Sequence, residues 1–322
     1  PEPLRHVLQR VSHNAFSLGS MADPCEAMNV LLTRLHAANL TVAEGVRTAP
    51  KTGAVDPLST QCAPSCLAHA LFHCEFIDQQ VCGCGATGNP IAHTFLTFEL
   101  SVYVKDVLRF DAVRDAAPDM YDMEKALSMA IGCLGGSSCS ERRWDCGEPT
   151  CKLGTSLQRH LLNNPRVLML NVVHAEDSRK DVEKLLNLVS ARIRLDVLFK
   201  RAAPADAGDA SVHHLRGMVC AYWQIHYVFF AWQERTREWL YFDDDIVRPV
   251  SSFEAVKTMC QKGKLLPVML LYERDALPTD PTPDLPLSTA DVKSGGMPYV
   301  FPKPPRKPPV AAPKPVATPK PL

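Results

Sequence analysis

Met28, Leu31, Leu32 and Leu35 fall at i, i+3, i+4 and i+7, which puts four apolar side chains on one face of a helix. Asp23-Pro24-Cys25-Glu26 ahead of them is a start signal: an N-cap aspartate, proline at the first helical position and a capping-box glutamate. The pattern then changes. Thr94–Val104 (TFLTFELSVYV) is rich in β-formers and predicts a strand. Met120–Leu134 predicts a helix that stops at Gly135-Gly136. Val167–Val173 (VLMLNVV) is apolar except for Asn171 and predicts a buried strand, and Asp181–Ile193 predicts another helix.

From there the chain reads as consecutive short strands: Met218–Trp223, His226–Trp232, Glu238–Phe242 and Pro267–Glu273. Ser251-x-x-Glu254 opens a short helix between the last two, ending near Gly263. Helices first and an antiparallel sheet later make an α+β pattern. No internal repeat is present.

Composition changes this picture mainly at the end of the chain. Residues 278–322 hold 14 of the 27 prolines, and the last 22 residues carry five basic side chains and no acidic one. Lys+Arg and Asp+Glu are both 35, so the zero net charge is a sum of an acidic body and a basic tail. Such a tail builds no packed core, so a Pro-rich disordered segment is expected over 276–322 and one domain over 1–275. Pro302-x-x-Pro305-x-Lys307 matches a PxxP-plus-basic ligand for an SH3 partner, against a plain solvated linker. Hydrophobic residues at 46% and charged ones at 22% mark a globular body. The charge balance argues against nucleic acid, and no apolar run reaches the roughly 18–20 residues of a membrane span. The chain opens on Pro1 without a signal-peptide pattern, so a fragment from a cytoplasmic and/or nuclear protein is expected.

Two constellations carry chemistry. His226 opens one apolar strand, and Asp243, Asp244 and Asp245 follow another. Paired as a hairpin, these strands would bring an imidazole to a carboxylate, the base-and-orienter half of a thiol or serine hydrolase site. The plainer alternative is a structural histidine and a solvated acidic turn. The second constellation is the cysteines, 12 in all. Cys82-Gly83-Cys84 and Cys146-x4-Cys151 are two knuckles with turn-forming neighbours, fit for a four-cysteine zinc ribbon or, failing that, for core thiols. Cys62, Cys66, His69 and His73 would share one helical face. They form either a second metal site or buried thiols beside surface histidines. Cys133 and Cys139 are competing ligands or core thiols.

In order along the chain stand Leu18–His36 with its D-x-x-E-x4-L-L pattern, VCGCG, DCGEPTC, His226-Tyr227, Trp239, Phe242-Asp243-Asp244 and Val247-x-x-Val250. This ordered set resembles the ubiquitin-specific protease family, with its helix after the nucleophile region, its finger knuckles and its histidine and aspartate boxes. The resemblance covers nearly all of residues 1–275. It implies a papain-like cysteine protease fold of the ubiquitin-specific protease type, with zinc-ribbon fingers at about 75–155 and a truncated N-terminal part. It further implies a thiol-dependent deubiquitinase that cuts isopeptide bonds after the C-terminal glycine of ubiquitin. His226 would be the base and Asp243 its orienter, aided by Asp244. Cys82, Cys84, Cys146 and Cys151 would hold a structural zinc.

Three features depart from the family pattern. Ile225 stands where glycine usually precedes the HY dipeptide, the first knuckle is CxC, and no G-L-x-N-x-G-N-T-C nucleophile string occurs in the 322 residues. With CLAH (Cys66–His69) and Lys262–Arg274, the first two point to the atypical subgroup, which has active and inactive members. A non-catalytic ubiquitin-binding module is therefore the alternative expectation. Cys25, the only early cysteine, lies inside the predicted first helix and is not expected to be the nucleophile.

Overall fold

The computed structural model describes residues 23–43, 66–95, 99–108, 123–132, 146–148, 150–153, 155–174, 181–201, 212–222 and 226–275. The Pro-rich tail, Cys62, Cys133 and Cys139 lie outside these residues.

The predicted first helix is α1 (Pro24–Ala43). Asp23 caps it, its Oδ1 accepting the Cys25 and Glu26 amides at 2.7 and 3.2 Å. A short α2 (Leu67–Phe72) follows and leads into β1 (Cys74–Cys82). β1 is the centre of a small sheet. It pairs antiparallel with β2 (Ile91–Phe95) and β4 (Thr155–Leu161), and β4 pairs in parallel with the two-residue β7 (Lys200–Arg201). A bidentate ion pair across this sheet, Arg159 to Asp78 at 2.7 and 2.8 Å, fixes the β1–β4 register.

The large sheet follows the order β11-β10-β9-β8-β12-β5-β3. Its strands are β3 (Glu99–Tyr103), β5 (Val167–Val173), β8 (Val212–Tyr222), β9 (His226–Gln233), β10 (Glu238–Asp243), β11 (Ile246–Val250) and β12 (Leu266–Arg274). A short β6 (Arg192–Arg194) joins β8 beside the main path. All its pairings are antiparallel except β3 with β5. Helices α3 (Val104–Leu108), α4 (Met123–Gly132), α5 (Val182–Leu188), α6 (Leu195–Leu198) and α7 (Phe253–Gly263) complete the described elements. The shared core runs from Leu127 and Leu186 through Leu168, Met218 and Phe230 to Tyr241 and Tyr272, each at most 1% exposed.

Three expectations are corrected. The β-rich run Thr94–Val104 is two strands in two sheets: β2 ends at Phe95, β3 spans Glu99–Tyr103, and Val104 begins α3. Propensity reports that residues suit a strand, not which sheet receives them. The helix expected over Asp181–Ile193 stops at Leu188, because Ile193 is fully buried in β6 opposite His213. Helix α7 is capped by Ser252, not Ser251: the Ser252 Oγ accepts the Ala255 amide at 3.1 Å.

Candidate functional site

Strands β9 and β10 pair with Trp239 opposite Trp232 and Tyr241 opposite Phe230. Side chains alternate faces along a strand, so Trp239, Tyr241 and Asp243 share one face with His226, Val228 and Phe230. That face is apolar along most of its length, with Val228, Phe230, Trp239 and Tyr241 all at most 3% exposed. Its polar end carries the site. His226 Nε2 lies 2.6 Å from Asp243 Oδ1. Tyr241 donates its hydroxyl to the other carboxylate oxygen, Oδ2, at 2.8 Å. The Tyr241 ring is itself held, 5.2 Å from Phe230 and 5.0 Å from the Arg248 guanidinium. The carboxylate is thus oriented from both oxygens by side chains on a packed hairpin.

The hairpin turn comes next. Asp243 pairs with Ile246, leaving Asp244-Asp245 as a two-residue loop with Asp244 at φ 50. Aspartate tolerates this left-handed conformation better than most residues. Asp244 is exposed, and its carboxylate lies within 4.8 Å of the His226 and Asp243 ligand atoms. Of the three sequence-predicted residues, Asp243 makes the direct contact and Asp244 stands beside it.

The carboxylate settles the imidazole tautomer. A neutral His226 donates Nε2–H to Asp243, which leaves the lone pair on Nδ1. The side chain is 31% exposed, and Nδ1 has no partner among the described residues. The next residue, Tyr227, has a phenol pKa pushed up by burial and then by the nearby Asp23 and Cys25. A cleft of about 450 Å³ opens beside the start of α1, lined by Asp23, Cys25, Glu26, Asn29 and Asn171 among others. Cys25 itself is 2% exposed and packs with Met169 and Met269, as a core thiol does.

In the small sheet four cysteines converge. Cys82 ends β1, and Cys84 follows in a turn closed by the Gly85 amide on the Cys82 carbonyl at 2.9 Å. Gly85 at φ +93 and Gly147 at φ +75 occupy conformations open to glycine, which explains one residue in each knuckle. Cys82 Sγ lies 3.5 Å from Cys151 Sγ, and Cys84 Sγ 3.9 Å from Cys146 Sγ. All four sulfurs sit within 4.8 Å of one another, so they could hold a metal ion. The Cys84 amide, together with the neighbouring thiols, brings the Cys82 thiol down to about 7 against burial. Cys151 is pushed the other way, to about 12, by Cys82, by burial and by the other two thiols, against the pull of the Leu153 amide.

The other expected ligand stretch forms differently. Cys66 is the N-cap of α2, not part of it, so the supposed helical face does not exist. His73 turns to Glu75 at 3.1 Å. Cys66 and His69 do meet, at 3.3 Å from Sγ to Nδ1, and are joined by His36 from α1 at 3.5 Å from the same sulfur. Burial, then His36 and His73, lowers the His69 pKa to about 4. Sequence reasoning missed His36 and Tyr241. Tyr241 was signalled by its place two residues before Asp243 on the same face. His36 follows the apolar stripe of α1, and no local pattern ties it to Cys66.

Known proteins share sequence and fold with this chain. Ubiquitin carboxyl-terminal hydrolase 54 of Rattus norvegicus is 27% identical over 280 residues, 84% of this chain and 16% of its own length. Ubiquitin carboxyl-terminal hydrolase 53 of Homo sapiens is 24% identical over 273 residues, 84% of this chain and 23% of its own. The chain thus spans less than a quarter of these relatives. Among solved structures, the SAGA DUB module Ubp8/Sgf11/Sus1/Sgf73 bound to monoubiquitin matches with a TM-score of 0.52 at 17% identity, over 85% of this chain and 52% of that one. The same module bound to ubiquitin aldehyde matches with a TM-score of 0.50 at 15% identity, over 85% and 53%. At these identities the likeness establishes a shared fold. The ubiquitin carboxyl-terminal hydrolase family model matches residues 1–272, and the chain belongs to that family.

Proposed function

We propose that this chain is the base-and-orienter part of a cysteine-type deubiquitinase acting on isopeptide bonds after the C-terminal glycine of ubiquitin. The observation that carries the reading is the 2.6 Å contact of His226 Nε2 with Asp243 at the polar end of a packed hairpin, with Nδ1 unpartnered among the described residues. Nδ1 takes the proton of the attacking thiol. The thiolate adds to the glycine carbonyl, the C–N bond breaks, and His226 returns the proton to the leaving lysine amine. Water then hydrolyses the thioester, again with His226 as base. Asp243 holds the tautomer and stabilises the imidazolium, and Tyr241 holds Asp243. Asp244, exposed at the turn, adds negative charge nearby.

The thiol is the part that these residues do not offer. Cys25 is a core residue at 2% exposure, and the family's nucleophile string does not occur in the sequence. In the catalytic reading the thiol comes from sequence outside the 322 residues. The second reading is a non-catalytic module that binds ubiquitin. Full-length protein treated with ubiquitin carrying an electrophilic C-terminus separates the two. Covalent labelling supports the enzyme; saturable binding without labelling supports the binder and overturns catalysis.

In this reading Cys82, Cys84, Cys146 and Cys151 hold a structural zinc. Zn–S bonds of about 2.3 Å in a tetrahedron put sulfurs about 3.8 Å apart, beside observed contacts of 3.5 and 3.9 Å. Four thiolates leave no position for a reactive water, so the ion supports the fingers that cradle ubiquitin. Such thiols stay reduced in a cytoplasmic and/or nuclear setting. The tail's Pro302-x-x-Pro305-x-Lys307 is proposed as an SH3 ligand, and deleting 302–322 should abolish SH3 pull-down.

A further inference from the structure

His36, Cys66 and His69 lie 1%, 4% and 8% exposed, between α1 and the start of α2. Their ligand atoms fall within 4.8 Å of one another. One sulfur faces three nitrogens: His36 Nδ1 at 3.5 Å, His69 Nδ1 at 3.3 Å and the His69 amide at 3.5 Å. Hydrogen bonding alone serves this arrangement poorly. A thiol has one proton, so it can donate to one imidazole, and the other must donate to sulfur, a weak acceptor already facing the amide.

A cation removes the conflict. We propose that His36, Cys66 and His69 form a second zinc site, separate from the four-cysteine cluster. Both Nδ1 lone pairs and the thiolate then point at one centre, and the His69 amide donates to the thiolate. The distances fit the ion. Zn–S of about 2.3 Å and Zn–N of about 2.0–2.1 Å at tetrahedral angles give S–N edges of about 3.5 Å, against 3.5 and 3.3 Å observed. Cys66 and His69 lie three residues apart at the start of α2, so one helical turn presents both donors. The site's role is structural. It ties α1 to α2, which leads directly into β1, across a sequence separation of 30 residues. Around it Leu32, Ala68 and Phe72 form a small cluster apart from the main core.

The test is zinc stoichiometry of the purified full chain by native mass spectrometry. Two equivalents are expected, with one lost in His36→Gln and the other in Cys84→Ser/Cys146→Ser. A single equivalent that His36→Gln removes also supports this site and would refute the ribbon instead. A single equivalent that survives His36→Gln, or none in the wild type, overturns the proposal. Zinc-edge absorption on the wild type decides without any variant. A mixed shell with nitrogen at about 2.0–2.1 Å supports the site, and sulfur alone at about 2.3 Å overturns it.

Discussion

His226 and Asp243 meet at 2.6 Å through Nε2 and Oδ1, while Tyr241 occupies the second carboxylate oxygen at 2.8 Å. Replacing Asp243 with asparagine keeps the shape and loses the charge that fixes the tautomer. Under the proposed catalytic reading, Asp243→Asn in the full-length protein should lower ubiquitin-amide hydrolysis about 10²–10⁴-fold, with ubiquitin affinity unchanged. Tyr241→Phe removes one hydrogen bond to a charged group and should cost roughly tenfold in rate. Wild-type turnover in Asp243→Asn would refute the assigned role.

The four-cysteine cluster makes a separate prediction. Cys84→Ser with Cys146→Ser should release one zinc and lower the thermal midpoint. Even about 3 kcal/mol of lost stability corresponds to roughly 6–12 °C in a domain of this size. A strong chelator should do the same to the wild type, and an unchanged melt after complete zinc removal would argue that the thiols merely pack.

The hairpin that carries the site depends on its core. Phe230 is fully buried and lies 5.2 Å from the Tyr241 ring. Phe230→Ala should lower unfolding free energy by about 3–5 kcal/mol in urea titration. Tyr272→Phe is a finer probe. The buried Tyr272 hydroxyl donates to the Ser190 carbonyl at 2.8 Å, and losing it leaves that acceptor unsatisfied at about 1–3 kcal/mol. A Tyr272→Phe protein as stable as wild type would show that water replaces the bond.

Acid should destabilise the fold partly through His174. Burial lowers its pKa from 6.5, against the Pro267 carbonyl and Asp181, which both raise it. The unfolded chain therefore binds the proton first as pH falls below about 6.5, so unfolding gains and stability drops. One group contributes a slope of at most about 1.4 kcal/mol per pH unit. His174→Gln keeps a donor for Pro267 without the titration, so its stability should fall less steeply below pH 6.5. Parallel wild-type and variant profiles would exclude His174.

Much of the site was legible in the chain. Val167–Val173 is the predicted buried strand, flanked by β3 and β12. The β9–β10 hairpin follows from two apolar runs and a short polar link, and its register delivers His226 to Asp243. Both signals are local: the strand is written in its own apolar run, and the hairpin joins residues no more than 17 apart at the site. Thr94–Val104 and Asp181–Ile193 were misread for the opposite reason. Their local preferences were sound, but each segment contains a point where the chain passes to another layer.

By itself the sequence determined the elements with strong periodicity, the knuckle glycines and the histidine and aspartate boxes, because each is written within one stretch of chain. Only the tertiary structure decided which groups share a site. It brought Cys82 to Cys151 across 69 residues and His36 to Cys66 across 30, and it turned the His73 Nε2 to Glu75. Those distances are set by sheet register and helix packing. These are properties of the whole fold, and no spacing of residues encodes them.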